Sequence, residues 1–563
     1  MRQVVLISGH ICTGKSELAQ RLREEFGYHS VSTSSILKSK AVADGRPTDR
    51  LALQLLGDEL DKKTNHSWLF NEVAKEAGHL TRNHPIVVDN VRTWDQLQHF
   101  RTDHSFSVIH VHLWAPKKFL EQRYRKKNAE RPGETDQSYT DADLIKNEND
   151  IEEFKNDADV RINTARTDSA DTLVRVAARL GLYSGPDIRC VDVVVGGMYG
   201  SEGKGHIAAY LANDYDILVR VGGPNAGHTV SSSSGVYTYH QLPSGARDTN
   251  AKLLLGPGMT IYAEALLKEI AECKVTPDRL FIDPQAMIIE KSDFSSEEEL
   301  KKSIASTGRG SGAAAARRIL LRGKRGAVRL ARDVPELEPF VGDKPPYRGA
   351  IVAHLETAYR EGQSILLEGT QGSGLSIFHG PYPYVTSRDT NVAGCLAEAG
   401  ISPSRVRRIL MVVRPTPIRV GNPDGGKETS GPLKHEVTFA EVATQAGLDA
   451  DEITKLEITS TTKRPRRVGW FEWDQFRNAC VLNAPTDIVL TFADYLNVIN
   501  KDARRFEQLH IDTIKFIEEL ERVSQAPVSL INTRFPRDEE QKIDLRSVID
   551  RRTWRTNSRL HNK

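Results

Sequence analysis

Gly196-Gly197-Met198-Tyr199-Gly200-Ser201-Glu202-Gly203-Lys204-Gly205-His206 is the stretch that decides how this chain folds. It follows the apolar run Val193-Val194-Val195. An apolar run without polar alternation reads as a strand buried on both faces, the habit of parallel sheets. The glycines free the backbone to turn its N–H groups toward an anion, and Lys204 adds a point charge where a helix should begin. Strand, glycine loop and helix in that order predict an α/β domain with a phosphate site. The spacing is not that of a Walker loop.

A second opening of this kind lies near the start of the chain. Val4-Val5-Leu6-Ile7-Ser8 enters Gly9-His10-Ile11-Cys12-Thr13-Gly14-Lys15-Ser16, which fits G-x-x-x-x-G-K-S. Here Lys15 is placed for β/γ phosphates and the Ser16 hydroxyl for Mg²⁺, with Gly9 and Gly14 freeing the loop. Leu18, Leu22 and Phe26 then mark the apolar face of a helix. Two such openings predict two α/β domains in series: residues 1–184, a P-loop NTPase resembling nucleotide kinases, and residues 187–563, a larger α/β domain. The Gly-, Pro- and Ser-rich run Gly181–Asp187 is the expected seam. No internal repeat links the halves beyond their openings.

The 563 residues leave room for two to four domains at about 100–200 residues each. No apolar run approaches the ~20 residues needed to span a bilayer, so no membrane association is expected. No charged-then-apolar leader opens the chain, so secretion is not expected. The 77 basic and 75 acidic residues give a net charge of +2, with no global reason for a nucleic-acid partner. The five cysteines form no CxxC pair, which predicts neither a disulfide framework nor a zinc site and suits a reducing cytoplasm.

In the first domain, Ile86-Val87-Val88 ends in Asp89, a candidate Mg²⁺ or acceptor contact. Arg123 and Arg125 follow the strand Val108–Leu113 and precede the polar segment Glu130–Glu153, read as a lid or a solvated helix. Asp157–Asn163 reads as a final strand. Together these resemble the nucleoside monophosphate kinase-like P-loop kinases, in which lid arginines clamp the transferring phosphoryl group. The acceptor is not legible.

The second domain continues with Gly222-Gly223-Pro224-Asn225-Ala226-Gly227-His228-Thr229, Ser306-Thr307-Gly308-Arg309-Gly310 and Glu368-Gly369-Thr370-Gln371-Gly372. Then come His379–Ser387 and Thr461-Thr462-Lys463-Arg464-Pro465-Arg466-Arg467-Val468-Gly469-Trp470. Six motifs in this order, counting the opening loop, resemble the adenylosuccinate synthetase family. That family phosphorylates the 6-oxo group of a purine nucleotide and then lets the amine of aspartate displace the phosphate. Two anionic reactants and a triphosphate must be held together, which calls for anion loops and arginines.

The resemblance implies a catalytic set of His228, Ser201, Lys204 and Gln371, with His228 the acid at the 6-oxygen. Gly200, Glu202, Gly203, Gly205 and Asp494 would hold ATP or GTP. Asn225, Thr307, Gln371 and Thr386 would hold the purine monophosphate. One of Arg317, Arg318 or Arg322, with Arg318 carried forward, would reach it from a second copy, which implies a homodimer. Thr461, Thr462, Arg464 and Arg466 would grip L-aspartate. Mg²⁺ would be ligated by the Gly227 carbonyl and by residue 201.

Three departures bear on substrate. The family loop carries Asp where this chain has Ser201; that Asp is both base toward purine N1 and metal ligand, and a hydroxyl is neither a base nor as good a ligand. Ser at this position resembles a branch, the 2-aminoadenylosuccinate synthases of phages with diaminopurine DNA, which take dGMP in place of IMP. The family's guanine-reading Lys-x-Asp is Phe492-Ala493-Asp494 here, and its Ser-Thr-Gly-Pro is Asn532-Thr533-Arg534-Phe535. Both changes argue against GTP and for ATP or dATP as the donor. The expected reaction is succinylation of (d)GMP, the alternative is ordinary adenylosuccinate synthesis from IMP, and a reading of another class is a nucleotide sensor. Retained aspartate-binding arginines argue against a sensor.

Overall fold

The structure, a computed structural model, describes residues 1–129, 154–232, 235–423, 429–459, 464–534 and 547–554. It falls into two compact units, Met1–Tyr183 and Ser184–Lys563. The segment 130–153, Thr461, Thr462 and Phe535 lie outside the described residues.

In the first unit, β1 (Arg2–Ser8), β2 (His29–Val31), β3 (Ile86–Val88), β4 (Phe106–Trp114) and β5 (Val160–Asn163) form one parallel sheet in the order β2-β3-β1-β4-β5. Alternation along β1 divides the core. Val4 and Leu6 pack with Trp68, Leu69 and Phe100 on one face. Val5 and Ile7 pack with Leu18, Leu22, Leu173 and Val176 on the other. The helix Lys15–Phe26 starts on the phosphate loop and buries Leu18, Ala19 and Leu22. A parallel sheet with helices on both faces is the α/β domain predicted from the first strand–glycine loop–helix opening.

The second unit is built on nine strands. Their order is Leu280–Ile282, Lys252–Leu255, Ile217–Arg220, Ile365–Glu368, Val191–Gly196, Val406–Val413, Asp487–Leu490, Val528–Asn532 and Val548–Asp550. All neighbours are parallel except the last pair. The central strand Val191–Gly196 is buried along its whole length. Val191, Val193 and Val195 face one core layer and Val194 the other. The buried carboxylate of Asp192 is met by Arg407 at 2.9 and 2.7 Å and by the Tyr215 hydroxyl at 2.6 Å.

Two small sheets flank this one. His228–Ser232 pairs with Gly235–Tyr239 as a hairpin. Ile418–Val420, Arg466–Gly469 and Glu436–Val437 form an antiparallel trio that carries the end of the arginine run. Among the described residues no helix is long and apolar enough to cross a membrane. All five cysteines are free.

Candidate active site

Parallel strands bring their carboxyl ends to one edge, where α/β sheets bind ligands. In the second unit that edge gathers the loops after Val191–Gly196, Ile217–Arg220, Ile365–Glu368, Val406–Val413 and Asp487–Leu490. Four of the six sequence motifs begin or lie there.

The loop Gly197–Gly203 turns tightly. Gly200 and Gly203 have φ of 86° and 80°, and Ser201 itself is left-handed at 57°. Ser201 is exposed, while Glu202 and Lys204 are buried. The Glu202 carboxylate accepts from the backbone N–H of Met198 at 3.1 Å and Gly200 at 2.8 Å, and from Lys204 Nζ at 2.5 Å. Thr491 Oγ1 donates to the Glu202 carbonyl at 2.7 Å. Glu202 therefore spends its side chain on the loop itself. Lys204 begins the helix Lys204–Leu211, and Gly203 is its left-handed N-cap. The first N–H groups of a helix have no acceptor within it, which is what an anion site at its start uses.

His228 opens the hairpin and is buried. Its Nδ1 lies 2.5 Å from Glu368 Oε1 and 2.7 Å from Arg220 Nη1. Arg220 and Glu368 are themselves paired at 2.6 Å, with side chains 0% and 3% exposed. Ser244 adds its N–H to Glu368 Oε2 at 2.7 Å and its hydroxyl to Oε1 at 2.6 Å. Burial, then the Arg220 charge, pushes His228 down to about 4, so the ring is neutral at pH 7. Burial alone would raise Glu368; Arg220 and His228 outweigh it and hold the carboxyl at about 2. Arg220 and Glu368 carry no motif signal of their own as partners of His228. Glu368 was legible only as the first letter of a glycine loop.

Around this centre, Gln371 (φ 67°) donates through Nε2 to Thr386 Oγ1 at 2.8 Å. Asn225 Oδ1 accepts from Ser311 Oγ at 2.9 Å. Thr307 is half-buried in the segment before the helix Ser311–Leu320. The start of that helix is capped internally: Glu297 accepts from Gly310, Gly312 and Ala313 N–H at 2.7, 2.7 and 3.1 Å. The three candidate arginines separate. Arg317 is tied to Asp293 and to the Ile288 and Ala327 carbonyls. Arg318 donates to the Gln285 carbonyl at 2.9 Å, and Arg322 to Ile319 at 2.6 Å.

Of the arginines expected to grip aspartate, Arg464 precedes and Arg466 opens a strand of the antiparallel trio. Arg464 Nη1 is buried without an acceptor among the described residues. Arg466 Nη1 is bound to Glu457 Oε2 at 2.6 Å. Glu457 also takes Arg414 Nη2 at 2.7 Å and the Tyr495 hydroxyl at 2.9 Å. Burial would raise Glu457, but Arg414 and Arg466 hold it down at about 2. Arg414 stacks 4.1 Å from the ring of Phe492, and Asp494 is buried two residues on.

In the first unit, Lys15 Nζ donates to the Gly9 and His10 carbonyls at 2.7 and 2.8 Å. Ser16 is exposed one residue into the helix, and Gly14 is its left-handed cap. Asp89 accepts from the Thr33 N–H at 3.0 Å. Arg123 is turned back onto the loop: it donates to the Cys12 carbonyl at 3.3 Å and to Thr164 Oγ1 at 2.9 Å.

A parallel sheet whose carboxyl edge holds a lysine-bearing glycine loop and a buried Glu–His–Arg cluster defines a nucleotide-binding α/β protein. The model of the adenylosuccinate synthetase family matches residues 193–336 and 328–501, and that of an AAA domain matches residues 4–148. Adenylosuccinate synthetase of Methanocaldococcus jannaschii is 35% identical over 63% of this chain and 97% of its own length. That of Pyrococcus horikoshii is 34% identical over 64% and 98%. Among solved structures, succinoaminodeoxyadenylate synthetase of cyanophage S-2L, bound to dGMP and to dATP as an energy donor, is 27% identical with a TM-score of 0.52. It covers 65% of this chain and 96% of its own. Adenylosuccinate synthetase of Plasmodium falciparum shares the fold, with 22% identity, a TM-score of 0.52 and coverage of 65% and 100%. The chain belongs to the adenylosuccinate synthetase family, through its second unit.

Proposed function

We propose that the second unit joins L-aspartate to C6 of a guanine-type nucleoside monophosphate, (d)GMP + L-aspartate + NTP → the 2-amino-N6-succinyl purine nucleotide + NDP + phosphate. Ser201 is the observation that carries this reading. It stands exposed at the mouth of the Lys204 loop, where the family's carboxylate would crowd the 2-amino group of guanine. The likeness to a synthetase solved with dGMP supports it. Asn225, Thr307, Gln371 and Thr386 hold the acceptor, and Arg464 and Arg466, with Thr461 and Thr462, hold aspartate. The Phe492 ring, plated by Arg414, replaces the lysine of a guanine reader and supports ATP or dATP as donor.

No cluster of three or more His, Cys, Asp or Glu able to hold a metal occurs among the described residues. Mg²⁺ usually keeps waters and rides on nucleotide phosphates with one or two protein oxygens. The Ser201 hydroxyl and Gly227 carbonyl fit that sparse role. Bound there, the ion would neutralise charge on the phosphates. His228 stabilises charge on the 6-oxygen, and Lys204 with the helix start holds the triphosphate.

The first unit is proposed as a nucleotide-dependent phosphotransferase acting through Gly9, Gly14, Lys15 and Ser16, with Arg123 on the loop and Asp89 at the end of the strand that pairs with the one entering it. A homodimer is proposed from Ile319 and Leu320, 61% and 77% exposed beside Arg318 and Arg322. Free thiols suit a cytoplasmic setting. The second reading, IMP as acceptor and GTP as donor, is favoured by relatives named adenylosuccinate synthetase at 33–36% identity. Incubation with Mg²⁺, aspartate, ATP or GTP, and IMP, GMP or dGMP separately, followed by mass analysis, tests both. A succinylated guanine nucleotide supports the first reading; product from IMP alone supports the second. Tight binding without any product would leave a sensor.

A further inference from the structure

Glu457 is the C-cap of the helix Ala450–Leu456 and is buried. Just beyond it, residues 457–459 and 464–466 are tied into a neck. The Thr459 N–H donates to the Arg464 carbonyl at 2.9 Å, and the Arg466 N–H to the Glu457 carbonyl at 3.1 Å. The Arg464 N–H donates to Thr459 Oγ1 at 2.9 Å. At this neck the Glu457 carboxylate takes three donors. Oε2 accepts from Arg466 Nη1 at 2.6 Å. Oε1 accepts from Arg414 Nη2 at 2.7 Å and from the Tyr495 hydroxyl at 2.9 Å. Arg414, fully buried, lies 4.1 Å from the Phe492 ring and 5.3 Å from the Tyr495 ring, and its Nη1 reaches the Ser201 carbonyl at 3.5 Å. Arg466 Nε and Arg464 Nη1 are buried without an acceptor among the described residues.

We infer that Glu457 is a positioning residue with two arms: one oxygen holds Arg466 for a carboxylate of aspartate, and the other holds Arg414 against Phe492 as a wall for the base of the donor nucleotide. This deepens the ligase reading and rests on it. The first arm follows from guanidinium geometry. Glu457 takes the Nη1 end of Arg466 and leaves the Nε–Nη2 edge, a side-on fork that fits a second carboxylate. Nε on that edge is a buried donor with no acceptor, which costs free energy until a ligand completes it. The second arm follows from stacking. A guanidinium attracted to an aromatic face still needs a partner for its charge. Glu457 Oε1 supplies it to Arg414. Tyr495 donates to the same oxygen and packs edge-on against Phe492 at 5.4 Å. Ring, guanidinium and carboxylate therefore form one block. Swinging Glu457 away from either arginine would leave a buried charge unpaired, which fixes its conformation.

The test compares KM values for aspartate, ATP and the purine monophosphate in the full-length parent, Glu457→Gln, Glu457→Asp and Arg414→Met. Glu457→Gln is expected to raise the aspartate KM about tenfold and the ATP KM at least about threefold, with kcat and the purine KM within about twofold, the pattern of lost binding rather than lost chemistry. Arg414→Met leaves Glu457 paired with Arg466; it is expected to raise the ATP KM while the aspartate KM holds. Glu457→Asp keeps the charge but is one methylene too short to meet both arginines. It is expected to fold and to raise the aspartate KM by a smaller factor, which keeps the test open if Glu457→Gln, stranding two buried cations, does not fold. An aspartate KM unchanged in the Glu457 variants overturns the proposal. So does an ATP KM unchanged in Arg414→Met, or a purine KM that rises as much as the aspartate KM, the sign of a general loss of structure. If no purine yields a succinyl product, the ligase reading fails. Calorimetric titration of the parent and Glu457→Asp with aspartate and with ATP then decides the positioning role: weaker aspartate binding in the variant supports it, and equal binding overturns it.

Discussion

The two phosphate loops treat their lysines differently. In the first unit, Lys15 is half-buried and donates to two loop carbonyls. In the second, Lys204 is 2% exposed and bound to a fully buried carboxylate, Glu202. A carbonyl dipole yields easily to a phosphate, so the two loop carbonyls hold Lys15 less firmly than an ion pair would. Lys204 is also part of the architecture, because removing one member of a buried pair strands the other charge. Both lysines are held by groups within their own loops, but the second loop is also tied to a distant strand end through the Thr491 hydroxyl on the Glu202 carbonyl.

Replacing both lysines by methionine sharpens that contrast. Lys204→Met is expected to abolish ligation and to cost ~3–5 kcal/mol of stability in denaturant unfolding. Lys15→Met should remove nucleotide phosphotransfer from the first unit, change stability by under ~1 kcal/mol, and leave ligation intact. Equal stability losses would break the comparison; loss of ligation in Lys15→Met would show that the units share an obligatory step.

His228→Asn should lower ligation by at least ~10²-fold, as loss of a positioned acid does, with the fold retained. Turnover at the parent rate would make His228 structural. Arg464→Leu should raise the aspartate KM by about 10–100-fold, the worth of a charge-assisted hydrogen bond, while nucleotide KM values hold. An unchanged aspartate KM removes that assignment.

The strands and loops were legible because apolar runs and glycines act locally. Val4–Ile7 and Val193–Val195 could be placed from their neighbours alone. The site's polar frame could not. Glu368 reaches His228 across 140 positions, and Glu457 reaches Arg414 across 43. No spacing rule connects such pairs; only the strand order does. The same holds for Arg123, whose guanidinium turns back to a carbonyl 111 positions earlier. Thr461 and Thr462, proposed to hold aspartate, lie outside the described residues.

The smallest predicted effect concerns acid. Burial pushes His110 and His112 of the first unit down to about 4 and about 3. Both meet the buried Ser8 hydroxyl, at 2.7 and 2.9 Å. A histidine held neutral in the fold takes up its proton later than in the unfolded chain. Between about pH 6.5 and pH 3 the unfolded state binds more protons, so stability rises with pH across that window. Melting temperatures of the full chain measured from pH 7 to pH 4 should fall less steeply in His112→Asn than in the parent. An identical slope would mean that His112 does not contribute to the acid limb.

Ser201 tests the central claim most directly. A carboxylate there can accept the N1 proton of hypoxanthine, whereas serine frees space beside C2. The measurement is kcat/KM for IMP and dGMP, with ATP and with GTP, in the parent and in Ser201→Asp. The account predicts that the parent prefers dGMP and ATP, and that Ser201→Asp loses guanine-nucleotide use by about 1–3 kcal/mol, roughly tenfold to hundredfold, the cost of an ill-placed polar group in a closed site. A parent that uses IMP well and ignores dGMP would contradict it.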